Sequence, residues 1–324
     1  MRLSFKLVIL YFHLLAFRGH AQLDSARLDS LQSLEFHIQG QAMVMLNDKD
    51  ERARISSTYF MVKNLVAGFK IKGSYYYPFD SVKSLSILYP EDKTFRIITW
   101  HLLLNDGTNR QYGVIQMNPD FFNLKKQQPK LYYPLIDRSD SVSDPLHTVC
   151  DAEKWWGGHY YKIITTKVKK KKYYTLLGMD GYSMMGNRKV IDVLWFDAEG
   201  IPHFGALIFD NNTPQRKVEK TIVEGYHPEV LIHEEKNTEK ENREKRVIFL
   251  YDNDATMTMR YLSEEKTIIF DNLIPKDGKS FELKHMYVPD GTFDYYVWEK
   301  DRWKLHRFYN ADKTPTIGEP GKAN

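Results

Sequence analysis

Apolar residues recur at three and four spacings over residues 23–47, at Leu28, Leu31, Leu34, Ile38, Ala42 and Leu46, which is the period of an amphipathic helix. Asp24 and Ser25 offer N-cap side chains ahead of the first periodic leucine. A second helical stripe over 52–69 runs through Ile55, Tyr59, Val62 and Val66 until Lys72-Gly73-Ser74 breaks it. These two segments predict a helical hairpin ahead of any strand.

Beyond Pro78 the pattern shortens to runs rich in Ile, Val, Tyr, Phe and Trp, separated by turn residues at intervals that suit antiparallel strands. Residues 84–89, 94–104 and 110–117 read as a three-stranded meander, with Asp106-Gly107 supplying a tight turn. The segment 137–145, Asp-Arg-Ser-Asp-Ser-Val-Ser-Asp-Pro, is polar and turn-prone and is the expected internal boundary. Strand patterns resume at 160–168 and 173–177, enclosing the lysine run 169–172, which is expected as a solvated hairpin tip. Over 189–196 both alternating faces are apolar, so this strand is predicted to be central. The charged stretch 234–246 reads as a long exposed loop or an extended helix end, and further hairpins follow at 247–262, 267–270 and 295–308.

The expected fold is α+β, predominantly antiparallel β hairpins and meanders with an N-terminal helical hairpin. Residues 22–136 are assigned to the hairpin plus meander, 146–310 to a β-rich domain and 311–324 to a flexible tail. The first 21 residues stand apart: Arg2 and Lys6 precede an apolar run over 7–17, and Gly19-His20-Ala21 suits a signal peptidase. An export signal is expected there, with Gln22 as the mature N-terminus and a periplasmic or extracellular destination. The run is shorter than the roughly 20 apolar residues that span a bilayer, so no transmembrane segment is expected in the mature chain.

Composition then narrows the partners. A hydrophobic share of 42% with 14% aromatic residues is ample for a packed core. Arg2, Lys6 and Arg18 account for three of the formal +4 charges, which leaves +1 for residues 22–324. A chain so near neutrality lacks the basic footprint of a nucleic-acid binder. Cys150 is the single cysteine, which rules out an intrachain disulfide; it reads as a small buried hydrophobe, or as a thiol beside His147 or His159.

Asp192 is the carboxylate whose position asks for an explanation, because a central apolar strand desolvates it. As a general acid or base it would work with Asp180 across a hairpin, in the manner of the paired carboxylates of glycoside hydrolysis. As a structural group it would pair with Arg188, another arginine or loop amides. The aromatic run Trp155-Trp156-Gly157-Gly158-His159-Tyr160-Tyr161 is open to two readings as well: Trp155, Trp156 and Tyr160 contact a sugar or a partner if exposed, and form core if buried. Asp252-Asn253-Asp254 and Asp290 with Asp294 lack calcium-loop spacing and read as Asx turns. Glycine-rich phosphate loops, a Gly-x-Ser-x-Gly elbow and His-Glu-x-x-His are absent from the sequence, so no cofactor or metal is expected.

The run 172–178 followed by Asp180-Gly181, together with Asn187-Arg188-Lys189-Val190-Ile191-Asp192-Val193-Leu194, resembles a family of exported proteins common in Bacteroidota. Pro202-His203-Phe204-Gly205, Lys245-Arg246-Val247-Ile248-Phe249, Arg260-Tyr261, Ile269-Phe270-Asp271 and Pro289-Asp290-Gly291-Thr292-Phe293-Asp294 agree with it. Met179 and Tyr182 depart from the aromatic and Asn of that pattern. The resemblance spans residues 155–303, implies export, and carries no catalytic residue with it. The expected function is that of an exported, non-enzymatic envelope or periplasmic protein binding a protein partner or a glycan, against the alternative of a carboxylate-dependent hydrolase of envelope or imported polysaccharide.

Overall fold

The computed structural model describes residues 23–121, 130–183, 186–211, 215–219, 231–235 and 243–308. The expected export signal over 1–21 and the tail over 311–324 lie outside the described residues. The chain divides into two compact units, Met1–Ser84 and Leu85–Asn324.

The first unit holds helices α1 (Ser25–Asn47) and α2 (Glu51–Lys70). Asp24 caps α1 by accepting from the Arg27 amide at 2.9 Å, and Asp50 caps α2 by accepting from the Arg52 amide at 3.0 Å. On α1 the buried positions are Leu31, Glu35, Ile38, Ala42 and Met45. Leu46, expected in the buried stripe, is exposed. On α2 the difference is larger: Arg54, Ser57, Thr58, Met61 and Leu65 are buried, while Ile55 and Tyr59 face outward. Hydrogen bonding explains this rotation. Arg54 donates to the Asp48 carbonyl at 2.9 Å, Thr58 to the Arg54 carbonyl at 2.8 Å, and Ser57 to the Gln41 carbonyl at 2.8 Å. A seam of satisfied polar groups thus outcompetes the apolar stripe that periodicity selects. The buried Glu35 accepts from the Tyr77 hydroxyl and from the Ser81 amide.

The second unit is built from β-sheets. β1 (Ser86–Leu88), β2 (Phe95–Leu103), β3 (Asn109–Met117) and β4 (Tyr132–Ile136) form an antiparallel meander in sequence order. A six-stranded sheet joins β5 (Cys150–Asp151), β6 (His159–Val168), β7 (Lys171–Ser183), β8 (Gly186–Phe196), β9 (Pro202–Phe204) and β13 (Val247–Asp252). Within it β8 is central, pairing with β7 on one side and with β9 and β13 on the other. A five-stranded sheet runs in the order β10 (Phe209–Asp210), β17 (Arg302–His306), β16 (Tyr287–Glu299), β15 (Thr267–Pro275), β14 (Met259–Leu262), antiparallel except between β10 and β17. β11 (Gln215–Glu219) and β12 (Leu231–Glu235) pair separately; β12 takes Glu234 and Glu235 from the expected charged loop, and 236–242 lies outside the described residues.

The six-stranded sheet packs on both faces, and successive residues of its strands therefore enter different cores. Leu176, Val190 and Leu194 join Phe95, Ile97, Ile115, Tyr133 and Leu135 of the meander. Leu177, Ile191 and Val193 join Phe209, Ile268, Phe270, Tyr296 and Trp303 of the five-stranded sheet. The unit boundary falls at Ser84/Leu85 and not in 137–145, because the meander shares its first core with the strands that follow. That polar segment is built in, with Asp137 accepting from the Gln111 amide at 2.9 Å and the Ser139 amide at 3.0 Å.

The lysine run is the exposed tip of the β6/β7 hairpin, as expected, and two of its side chains make contacts. Lys171 lies 3.3 Å from the centroid of the Trp195 ring, and Lys172 pairs with Asp92 at 2.6 Å. Asp252 and Asp290 accept from the amides of Asp254 and Thr292 at 2.8 Å, the Asx turns read from the sequence.

Gly178 is the tightest passage in the first core. A Cβ there would stand 2.7 Å from the Tyr160 ring and 3.2 Å from the His159 carbonyl oxygen. Gly178→Ala is expected to destabilise the fold by about 1–3 kcal/mol through overpacking, read as a lower urea midpoint at unchanged slope.

Candidate functional site

The β7/β8 register places Asp192 opposite Leu176 and Arg188 opposite Asp180. Both carboxylates therefore lie on the face that meets the meander, and four residues of strand, roughly 13 Å at the usual rise, separate them. The same face of the meander brings in His101 and Gln111, which are cross-strand partners in β2 and β3. The core is aromatic and aliphatic around Phe95 and turns polar towards this end.

Asp192 is fully buried, and so is its partner Arg246. The Arg246 Nε donates to Asp192 Oδ1 at 3.1 Å, the Val193 amide to the same oxygen at 2.8 Å, and the Tyr160 hydroxyl to Oδ2 at 3.1 Å. Trp155 Nε1 donates in turn to the Tyr160 hydroxyl at 3.2 Å. The remaining guanidinium donors of Arg246 go to carbonyls: Pro145, Thr148 at 3.1 Å and Phe204 at 3.2 Å. Burial works against the Arg246 charge, but Asp192, Cys150 and Tyr160 beside it hold its pKa above the ordinary value. Burial and then the Asp192 charge drive the Tyr160 phenol far above its own. The Cys150 thiol is pushed up by burial, which suits a packing role over that of a reactive thiolate.

Asp180 belongs to a second, adjoining pair. Arg188 donates to its Oδ2, and Gln111 Nε2 to its Oδ1 at 2.8 Å. Trp156 links the two pairs, since the Arg188 guanidinium carbon lies 4.7 Å and that of Arg246 5.7 Å from its ring centroid, within cation–π range. One continuous network thus runs from Gln111 through Asp180, Arg188, Trp156, Arg246, Asp192 and Tyr160 to Trp155.

All five candidates read from the sequence, Asp180, Asp192, Trp155, Trp156 and Tyr160, meet here, in roles set by their burial. Trp155, Trp156 and Tyr160 are core side chains with at most 2% of their surface exposed, so no face of them is presented to a sugar or partner. Both oxygens of each aspartate accept from protein donors, and each aspartate pairs with its own arginine and not with the other. The arrangement can hold charge in place; it has no open carboxylate to move a proton. Sequence reasoning missed His101, Gln111 and Arg246, which join from positions 54 to 79 residues away in the chain.

Two histidines edge this network. The rings of His101 and His159 meet edge-on with centroids 5.4 Å apart. Burial, and then His101, lower the His159 pKa to about 4; burial lowers that of His101 too, against the pull of Asp180. Among the described residues no group of three or more His, Cys, Asp or Glu is placed to hold a metal ion.

Compared with known proteins, the chain matches no family model, no curated protein and no solved structure.

Two outcomes are expected. Arg246→Met strands a buried carboxylate and should cost about 3–5 kcal/mol, whereas the double change Arg246→Met/Asp192→Leu should recover much of the loss; chemical denaturation of the three proteins checks this. His159 stays neutral in the fold down to about pH 4 but takes up a proton near 6.5 when unfolded. Stability is therefore complete above pH 6.5 and declines as the pH falls from 6.5 to 4, by at most about 3 kcal/mol. The difference between wild type and His159→Gln across that window isolates this contribution, and a parallel pair of curves would refute it.

Proposed function

We propose that this is an exported, non-enzymatic, envelope-associated protein whose helical hairpin binds another protein chain. The observation that carries the reading is the outward apolar face of the hairpin. Phe36 is 73% exposed, Met43 61% and Leu46 56% on α1, and on α2 Tyr59 is 60% exposed with Phe60 beside it at 48%. Phe36, Met43 and Val44 line a surface cavity of about 510 Å³ together with the polar His37, Gln39, Gln41 and Ser57. Apolar surface concentrated on one element is unfavourable in water and marks interaction sites.

Trp155, Trp156 and Tyr160, the aromatic side chains read from the sequence as sugar contacts, lie in the core, so they lend no support to a glycan. The hydrolase reading draws no support from Asp180 and Asp192, whose oxygens are committed to arginine, glutamine and tyrosine donors. Export rests on the residue pattern over 1–21 and on the resemblance of 155–303 to exported Bacteroidota proteins. No helix among the described residues is long and apolar enough to span a bilayer.

A photoreactive amino acid in place of Phe36 or Phe60, activated in cells that make the protein, is expected to yield a discrete covalent adduct with a protein. The same residue in place of the exposed Leu103 should yield none. Absence of adducts from both hairpin positions would refute the reading.

A further inference from the structure

The β6/β7 hairpin is charged in one sense only. From Lys154 to Met179 the sequence holds seven lysines and no aspartate or glutamate, in a chain whose residues 22–324 sum to +1. Five of the seven, Lys167, Lys169, Lys170, Lys171 and Lys172, are exposed and crowd six positions about the turn. The register sets Lys167 directly opposite Lys172 and Val168 opposite Lys171, so Lys169 and Lys170 form the turn itself. Lys169 takes φ 54°, in the left-handed region where glycine or asparagine costs less. Like charges directly opposite on paired strands are destabilising as well. Folding by itself therefore favours a different sequence at this tip.

The protein relieves this concentration of charge only in part. Lys172 pairs with Asp92 at 2.6 Å, and Lys171 lies over the Trp195 ring. Among the described residues no carboxylate forms an ion pair with Lys167, Lys169 or Lys170. Behind the turn, Lys170, Lys171 and Lys172 border a surface cavity of about 480 Å³ together with Tyr174, Phe196 and Asp197. The Asp197 carboxylate is already committed, since it accepts from the amides of Glu199 and Ile201 and meets the His203 ring nitrogen at 2.9 Å. The charges left unshared are ammonium groups, which bind phosphate as point charges.

We infer that the β6/β7 tip docks on an anionic lipid surface, with Lys167, Lys169 and Lys170 meeting headgroup phosphates and the cavity behind the turn seating one of them. Shape favours this polyanion over a nucleic acid. A single strand is tracked along a basic groove, whereas a layer of headgroups meets an exposed turn from the front and attracts each lysine near it. The inference goes beyond the partner of the helical hairpin and stands whether or not that partner is found.

Co-sedimentation with lipid vesicles of the protein purified from producing cells tests it. Vesicles of phosphatidylcholine with about 30% phosphatidylglycerol are expected to bind the protein and those of phosphatidylcholine alone are not, and salt raised from about 0.05 to 0.5 M should release it. The triple change Lys167→Gln/Lys169→Gln/Lys170→Gln should weaken binding about a hundredfold, roughly fivefold for each charge at about 1 kcal/mol apiece. Arginine at the same three positions should retain binding. Removal of equal charge elsewhere, in Lys279→Gln/Lys300→Gln/Lys304→Gln, should leave it unchanged. All six positions are exposed, and circular dichroism should report the same fold for every variant. Equal binding to neutral and anionic vesicles, a tip triple variant that binds like wild type, or an equal loss in the distant triple variant overturns the inference. A single-stranded DNA oligonucleotide held through the same lysines more tightly than the anionic vesicles also overturns it and reassigns the tip to nucleic acid.

Discussion

The second unit is organised around one buried ion pair, Asp192 with Arg246. Moving two charges out of water costs several kcal/mol each, so the pair is tolerated only because hydrogen bonds to both partners offset that cost. Asp192 collects three donors, and Arg246 spends its other N–H groups on the carbonyls of Pro145, Thr148 and Phe204. The pair thereby fastens the polar segment before β5, the short strand β9 and the central strand β8 to one another. An apolar pair of equal volume would pack there at no electrostatic cost, but it would not select which loop carbonyls must converge on the site. The stabilising contribution is one of specificity, and removal of one partner is the damaging change.

The Asp180 and Arg188 pair repeats the arrangement nearer the polar end of the same core. Trp156 lies beneath both guanidinium groups, so the two neutral ion pairs share one aromatic surface. This explains how four charged side chains coexist with the fully buried Leu176, Val190 and Leu194. Each carboxylate is paired with an arginine, and Gln111 donates to Asp180, Tyr160 to Asp192 and Trp155 to Tyr160. Carboxylates on a central strand can indicate catalysis or architecture; here the hydrogen-bond inventory favours architecture.

The helical hairpin follows the opposite logic. Its seam contains arginine, serine and threonine with satisfied hydrogen bonds, and much of its apolar surface is turned outward. A helix that placed Ile55 and Tyr59 inward would leave Arg54 outside and the Asp48 and Lys49 carbonyls of the turn without its guanidinium. The outward aromatics are a direct consequence of that exchange, and they supply the surface from which a partner is proposed.

The amino-acid sequence by itself determined the element types. Two three-and-four periodic segments became α1 and α2, and the doubly apolar run around Asp192 became a central strand, because local period and β-branched content act over a few residues and need no partner. It also placed Asp180, Asp192 and the aromatic run among the residues needing explanation. Tertiary structure alone decided what they do. Arg246 reaches Asp192 across 54 positions and Gln111 reaches Asp180 across 69, and no local pattern records such a meeting. Nor did the pattern reveal that α2 would bury Arg54, Ser57 and Thr58, since the hydrogen bond from Ser57 to Gln41 of α1 exists only once the helices are side by side. Periodicity reports which faces a segment owns; the choice of the face to bury depends on the donors and acceptors that the neighbouring element brings.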